Sequence, residues 1–283
     1  MMRIAPLPLR SRPFATRMRS AILPLFTGLV VAYLFLPIVV MAVFGFNDIQ
    51  GRFNFAWQGF TLDHWANVFN RYPALNQALL NSVTVAIIST AVATVLGTLI
   101  GLALTRYDFR GRGPLNLLIF LPIATPEIVL GAWLLALFVS VASPLGLPTV
   151  VIAHIMFNIS FVVVTVRARI AGFDRALEEA AMDLGADEWT TFRKVTFPLI
   201  FPGILAAALL AFALSIDDFV ITQFTAGQTL TFPLWVYGAS RIGVPPQVNV
   251  MGTLIFLIAL VGMVLWIFLQ RRDLSAAPTR LDR

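Results

Sequence analysis

Three acidic side chains lie inside long apolar stretches of the sequence, where a charge could act on a passing solute. They are Glu127, directly after Pro126, and the adjacent pair Asp217 and Asp218. An unpaired charge at the centre of a bilayer costs at least about 2.5–3.5 kcal/mol, so such groups normally face protein or water. The acids either attract a cation or bond to nearby hydroxyls and freed backbone amides. The structural role is favoured for Glu127, beside a proline, and both roles stay open for the aspartates.

The two aspartates should face different ways on one helix. Asp218 continues a stripe of small and polar residues spaced by three or four, which should line a helix interface or a cavity. The stripe comprises Ala207, Ala211, Ser215, Asp218 and Thr222. Asp217 lies about 100° away around the helix. Asp218, more than Asp217, is therefore the predicted contact for a cationic solute. Trp133 and Trp235 could add cation–π contacts, or they could face lipid.

Enzymatic and metal chemistry have little support in the sequence. There is no cysteine, which excludes disulfides, thiolate catalysis and cysteine metal sites, and the two histidines, His64 and His154, lie in different segments. Neither a Walker A sequence nor a Gly-x-Ser-x-Gly turn is present. Adjacent aspartates diverge on one helix, whereas an aspartyl protease needs two carboxylates that face each other. We therefore expect no catalytic residue, metal or cofactor on this chain.

The elements that position these acids are membrane helices. The 283 residues are 59% hydrophobic and 12% charged, against about 25% charged in a soluble protein. Six apolar windows are each long enough to cross a hydrocarbon core of about 30 Å. They are residues 21–46, 79–105, 115–140, 146–168, 199–223 and 248–270. The first window is too long for a signal peptide, so it should be retained. The sequence predicts an all-α membrane protein with six transmembrane helices.

The basic residues predict the orientation. Of the 20 basic residues, 17 lie in the two tails and in the loops after the second and fourth windows. The positive-inside rule then places both termini in the cytoplasm. The net charge of +6 is explained by topology and attraction to anionic lipid, without nucleic acid. The expected organisation is a basic tail (1–20), a first helix with an outer loop (21–78), a transmembrane core (79–270) and a second tail (271–283).

Glycine and proline predict local geometry at three places. Gly97 and Gly101 form a GxxxG step, which allows helices to approach closely. Pro122 and Pro126 should kink the third helix. Residues 224–247 contain several glycines and prolines, and we expect a long outer loop there rather than a helix.

A polar segment interrupts the apolar pattern between the fourth and fifth windows. Asp174 can cap a short helix that runs through Leu184. Gly185 can end this helix because glycine readily adopts a positive φ. Asp187 can then cap a second short helix, which Pro198 should end before the fifth span begins. The segment is therefore predicted to be a cytoplasmic helix–turn–helix.

The first of these short helices is suited to docking. Its apolar side carries Leu177, Ala180, Ala181 and Leu184, and its acids are Glu178, Glu179 and Asp183. We expect the acids to face outward and set the register of a partner protein. The alternative is a helix lying on lipid, but such helices usually carry Trp or Phe on the apolar side and basic residues on the other. Docking on a protein is favoured.

The segment also resembles a known signature. Glu179-Ala180-Ala181, three residues, Gly185, nine residues and then Val195-Thr196-Phe197-Pro198 are similar to the EAA loop of binding-protein-dependent ABC importer permeases. The family form ends in Ile-x-Leu-Pro, and Val and Phe stand in its place here. The likeness extends over residues 75–270. In that family the loop is the coupling helix that inserts into a cleft of the ATPase subunit. The resemblance implies that Glu179, Ala180, Ala181 and Gly185 contact an ATPase.

The resemblance also implies partners and a location. The chain would pair with a second permease, homologous or identical, the homologous case being favoured, and with two ATPase subunits, which would hold the ATP and Mg²⁺. An extracytoplasmic binding protein would deliver the solute. The location would be the bacterial cytoplasmic membrane, with lipid around the helices.

Two segments indicate the class of solute. "LSIDDFVIT" and "FPLWVYGASRIGVPPQVN" resemble the second permeases of spermidine/putrescine importers, which implies a polyamine or related organic cation. Another small organic solute remains the alternative. An ion-coupled secondary transporter is disfavoured because such proteins often show internal repeats and discontinuous helices, and neither is evident.

Overall fold

The computed structural model describes residues 14–51 and 53–275, and within them the fold is helical apart from one isolated bridge between Asn47 and Phe60. Arg52 and most of both basic tails lie outside the described residues. The helices are α1 (Phe14–Phe44), α2 (Asp63–Ala66), α3 (Pro73–Arg106), α4 (Arg112–Ala124), α5 (Glu127–Ser140), α6 (Leu147–Ala171), α7 (Ala176–Asp183), α8 (Glu188–Thr191), α9 (Phe197–Ile216), α10 (Val220–Thr225), α11 (Phe232–Ser240) and α12 (Pro246–Ser275). A π-helical turn, Phe192–Thr196, joins α8 to α9. The predicted all-α class is confirmed.

Five helices in the described part of the chain are long and apolar enough to span a membrane. The sixth candidate is the pair α4 and α5, whose axes bend by 113°. The expected kink in the third span is therefore a sharp break. Pro122 and Pro126 explain it, because proline removes a backbone donor and pushes the preceding residue toward extended geometry. Thr125 adopts that geometry, with φ −86° and ψ 134°.

The described residues form two compact units, each described by itself. One contains the residues up to Arg71 and those from Ile242 onward, and the other contains Tyr72–Arg241. In the first unit α1 packs on α12, where Phe35 meets Phe256 edge to face with centroids 6.1 Å apart.

Hydrogen bonds around Asn47 hold the loop between α1 and α2 in place. The side chain of Asn47 donates to the carbonyl of Ala56 at 2.7 Å and accepts from the backbone of Gln58 at 2.7 Å. His64 Nε2 lies 3.1 Å from the Asn47 carbonyl, and its Nδ1 lies 3.1 Å from Gln247 Nε2. His64 is thus a buried structural residue.

The second unit is built on α3, α6 and α9. Their contact is lined by buried small and branched residues, including Ala93, Val162, Val166, Ala207 and Ala211. The GxxxG step lies at this contact, as predicted. A Cβ at Gly97 would lie 2.6 Å from Val162 Cγ1, so only glycine allows α3 and α6 to pack this closely.

Two predictions about the chain after α9 were wrong. The fifth span does not run unbroken to residue 223, because α9 ends at Ile216 and a short α10 follows. The segment 224–247 is not helix-free, because it contains the nine-residue α11. The proline of α11 lies in its first turn, where the missing N–H has no helical partner to lose. The helix therefore accommodates Pro233 in its first turn and Gly238 near its end.

Candidate functional site

The helix–turn–helix after α6 is built from α7, Gly185 and α8. Gly185 has φ +89°, as predicted. Its N–H donates to the Met182 carbonyl at 2.9 Å, and the Ala186 N–H donates to the Ala181 carbonyl at 3.1 Å. This pair of bonds is the Schellman arrangement, which satisfies the last carbonyls of a helix and fixes the direction of the chain beyond it. The turn is therefore a defined structure rather than a loose loop.

The predicted cap of the second short helix is confirmed. Asp187 Oδ1 accepts the N–H of Thr190 at 2.8 Å. Hydrogen bonds from Thr190 also lower the pKa of the Asp187 carboxyl. Pro198 does not end this helix, contrary to the prediction. The π-helical turn carries the backbone from α8 directly into α9, and Pro198 lies in the first turn of α9. There the proline ring fits without breaking the helix.

The residues of the predicted ATPase contact share an open surface. Glu179, Ala180 and Gly185 are exposed and Ala181 is half-buried. Leu184, next to the turn, is 90% exposed. The small side chains of this surface would allow another backbone to approach closely, and the exposed Leu184 offers it an apolar contact.

Glu178 faces the opposite way, which corrects the prediction that it points outward. The residue is 7% exposed. Both terminal nitrogens of Arg106 donate to its carboxylate, with Nη2 at 2.6 Å from Oε1, and the Thr196 hydroxyl also donates to Oε1. Burial raises the pKa of the Glu178 carboxyl, but the bonds from Arg106 and Thr196 and the charges of Arg106 and Arg175 outweigh it. The pKa lies below its usual value.

A second polar cluster surrounds the break between α9 and α10. Asp218 Oδ2 accepts from the backbone N–H and the hydroxyl of Thr222, at 2.8 and 2.7 Å. His154 Nε2 lies 3.3 Å from the same oxygen, and its Nδ1 lies 2.6 Å from Ser215 Oγ. Ser215 Oγ is also 3.1 Å from Ser89 Oγ on α3. The cluster thus ties α3, α6, α9 and α10 together.

The predicted small polar stripe is confirmed as a buried helix interface. Ala207, Ala211 and Thr222 are fully buried, and Ser215 is almost so. The side chain of Asp218 is 6% exposed. Its negative charge is surrounded by donors, which is the usual condition for a carboxylate within apolar sequence.

His154 is the member of this cluster that the sequence reasoning missed. Its ring bridges Ser215 and Thr222, the latter at 2.9 Å from Nε2. A signal was present, because His154 lies inside an apolar window in the same way as the three acids. The rule that polar groups inside a membrane span need a partner applies to it equally.

The other predicted solute contacts are not joined to this cluster. Asp217 is exposed, and within the described residues no side chain is paired with its carboxylate. Glu127 opens α5 and is exposed, and Trp133 is 55% exposed. Trp235 on α11 meets Tyr72 edge to face, with centroids 6.3 Å apart.

No candidate metal site is visible in the part of the chain that the structure describes. Across residues 14–51 and 53–275, no group of three or more His, Cys, Asp or Glu side chains could hold a metal ion.

The sequence matches a family described as "Binding-protein-dependent transport system inner membrane component" over residues 93–272. The chain is 39% identical over 255 residues to the spermidine/putrescine transport system permease protein PotC of Escherichia coli (strain K12), covering 90% of this chain and 95% of the relative. It is 34% identical over 250 residues to the putrescine transport system permease protein PotI of the same strain, covering 85% and 88%.

Solved structures show the same fold. A bacterial ABC transporter involved in the import of the acidic polysaccharide alginate aligns with a TM-score of 0.64 and 17% identity, over 94% of this chain and 99% of the other. The MetNI methionine ABC transporter aligns with a TM-score of 0.57 and 20% identity, over 72% and 96%. The family match confirms the resemblance seen in the segment around Gly185. This chain belongs to the family of binding-protein-dependent transport system inner membrane components, and it is a multi-pass protein of the inner membrane.

Proposed function

We propose that this chain is the permease subunit of an ATP-driven importer for polyamines. The observation that carries the proposal is its similarity, over nearly the whole length, to two permeases whose names specify spermidine and putrescine. The carboxylates at the α9–α10 break suit such a solute, because polyamines are cations at neutral pH. Another small organic solute remains the alternative.

The proposed ATPase contact is Glu179, Ala180, Ala181 and Gly185. Three observations support it: the exposure of this surface, its small side chains, and the Schellman turn that holds Gly185 in place. ATP and Mg²⁺ would bind to the ATPase, and this chain would receive the movement that their binding and hydrolysis produce.

The proposed assembly contains two ATPase subunits, a second homologous permease and an extracytoplasmic binding protein. The exposed surface of α1 would be covered by either lipid or the second permease. Its span Ile22–Phe44 has none of its most apolar window buried within the chain, and side chains such as Leu23 and Tyr33 are more than 70% exposed.

The proposed solute pathway passes the α9–α10 break. Asp217 offers an open carboxylate there, and Asp218 supplies a second negative charge that its partners hold in place. In a site of reduced dielectric such charges attract an ammonium more strongly than they would in water. Glu127, Trp133 and Trp235 are further proposed contacts along the route.

The proposal requires α7 to be cytoplasmic, as the basic residues predict. Because the chain has no cysteine, Asp183→Cys gives a single exposed thiol on α7. A membrane-impermeant maleimide should label it only after the membrane is opened. Labelling from outside intact cells would contradict the orientation and the ATPase contact together.

The substrate is tested with the complete transporter in proteoliposomes. Binding protein loaded with spermidine or putrescine should stimulate ATP hydrolysis and solute uptake, whereas the unloaded protein should not. Uptake should persist when a protonophore removes the proton gradient and stop when ATP is withdrawn. Stimulation by a neutral or anionic solute, with none by polyamines, would overturn the polyamine assignment while leaving the permease assignment in place.

A further inference from the structure

A single carboxylate joins three separate parts of the second unit. Glu178 belongs to α7, Arg106 is the last residue of α3, and Thr196 is the last residue of the π-helical turn that leads into α9. Both terminal nitrogens of Arg106 and the hydroxyl of Thr196 donate to this one group. We call these three residues the carboxylate clamp.

The carboxylate clamp is more buried than the other arginine–carboxylate pair in the described residues between Tyr72 and Arg241. The side chains of Arg106 and Glu178 are 19% and 10% exposed, whereas those of Arg112 and Asp108 are 38% and 91% exposed. Bidentate Arg–carboxylate pairs fix geometry as well as adding energy. Burial also removes the competition from water that weakens surface pairs.

Other contacts orient the arginine and the start of α7. The Arg106 guanidinium lies over the ring of Phe173, 5.7 Å from its centroid. Arg175, directly before α7, donates to the Thr105 carbonyl at 3.3 Å. The C-terminal end of α3 is therefore also in contact with the residues directly before α7.

The clamp lies on the side of α7 away from its open surface. Glu178 and Glu179 are consecutive, so their side chains diverge by about 100° around the helix. One is buried against α3, and the other is exposed. A cavity of about 520 Å³ lies beside the clamp, lined in part by Leu99, Tyr107, Met182 and Phe192. This space means that close packing alone does not fix α7 against α3.

We propose that Arg106, Glu178 and Thr196 are positioning residues that make α3 and α9 follow the movements of α7. The inference rests on the proposed docking of α7 on the ATPase. Displacement of the docked surface is then passed through the Glu178 carboxylate to the ends of two membrane helices. Energetic coupling between distant sites is carried by such contiguous contacts between rigid elements. Without the clamp, α7 can shift into the cavity while α3 stays in place.

The test compares variants of the complete transporter in proteoliposomes. Glu178→Gln keeps the size of the side chain and removes its charge. The exchange Arg106→Glu with Glu178→Arg restores an ion pair with reversed sign. Asp108→Asn is the matched control, because it breaks an exposed Arg–carboxylate pair next to the same end of α3. Three quantities are measured: co-purified ATPase, ATP hydrolysis stimulated by loaded binding protein, and solute taken up per ATP hydrolysed.

Glu178→Gln should retain the ATPase and its hydrolysis, while uptake per ATP falls at least about fivefold, a typical size for coupling between sites. Uptake per ATP should be higher in the double exchange than in either of its single variants. In Asp108→Asn it should equal that of the unchanged protein. Unchanged uptake per ATP in Glu178→Gln overturns the inference, as does an equal loss in Asp108→Asn or a double exchange that recovers nothing.

A second variant covers the case in which Glu178→Gln does not accumulate. Thr196→Val removes only the hydroxyl donor to Oε1. Uptake per ATP should fall about twofold, less than the roughly fivefold lower limit typical of such couplings, because the two bonds from Arg106 remain. An unchanged ratio there also overturns the inference. Absence of the ATPase from the purified unchanged protein would instead refute the docking of α7, so the two failures are distinguishable.

Discussion

His154 Nε2 lies 3.3 Å from Oδ2 of Asp218 and joins the first half of α6 to the break between α9 and α10. Both ring nitrogens are engaged, since Nδ1 lies 2.6 Å from Ser215 Oγ. The histidine is 3% exposed. A buried polar group in such a network is costly to leave unpaired. The position of Asp218 is therefore determined by a helix that is distant from it in sequence.

The first prediction is that His154→Phe destabilises the chain. Phenylalanine removes both bonds and leaves Ser215 and Asp218 with fewer partners, which should cost about 1–3 kcal/mol. The thermal midpoint of the detergent-purified protein should fall. His154→Gln retains a donor and should recover part of the loss. Equal midpoints for His154→Phe and the unchanged protein would show that the network does not stabilise the fold.

The local features of this fold were predictable, and the side-chain partners across helices were not. Hydropathy identified the spans, and the types of Gly185 and Asp187 identified the turn and the cap, because these depend on residues a few positions apart. The partners of Glu178 and Asp218 are Arg106 and His154, which lie more than fifty residues away. Which side of a short helix is buried depends on these distant partners.

The same reasoning explains the errors around the helix breaks. Pro198 was expected to end a helix, but a π-helical turn supplies an alternative hydrogen-bonding pattern that carries the chain past it. The helix α11 was missed because it is short and itself contains Pro233 and Gly238. The number of glycines and prolines in such a segment does not decide whether a helix forms, because the effect of each depends on its position within the helix.

The second prediction concerns Gly185. An added side chain there meets no atom within 4 Å, but the backbone has φ +89°, which strains other residues by at least about 1 kcal/mol. Gly185→Asp should therefore insert into the membrane and fail to retain the ATPase. Gly111→Asp is the matched control, because Gly111 has φ +97° and equally open surroundings outside the docking surface. ATPase should co-purify with the Gly111 variant. Its loss from both variants would assign the effect to backbone strain alone.

The third prediction is a pH dependence of the carboxylate clamp. The folded pKa of Glu178 lies below the ordinary 4.5, so the folded state holds the proton less tightly than the unfolded state does. The clamp's stabilisation is then complete above about pH 4.5 and lost as the pH falls through the folded pKa. The thermal midpoints of the unchanged protein and of Glu178→Gln should differ by a constant amount above pH 5 and converge below about pH 4.5. A difference that grows on acidification would contradict the direction of this pKa shift.

The last prediction separates the two aspartates. Asp217→Asn removes an exposed charge without a side-chain partner in the described residues, so folding and ATPase assembly should stay unchanged while the concentration of polyamine needed for half-maximal uptake rises. Asp218→Asn removes a buried charge that Thr222 and His154 hold, so it should slow uptake and also lower the thermal midpoint. Uptake is measured per folded transporter, with spermidine delivered by the binding protein. The expectation from the helical stripe is that Asp218 has the larger effect on uptake even after this correction. If the Asp218 loss disappears on correction while the Asp217 loss remains, Asp218 is a structural residue and Asp217 is the carboxylate that meets the cation. If neither variant changes corrected uptake, the solute does not pass the α9–α10 break.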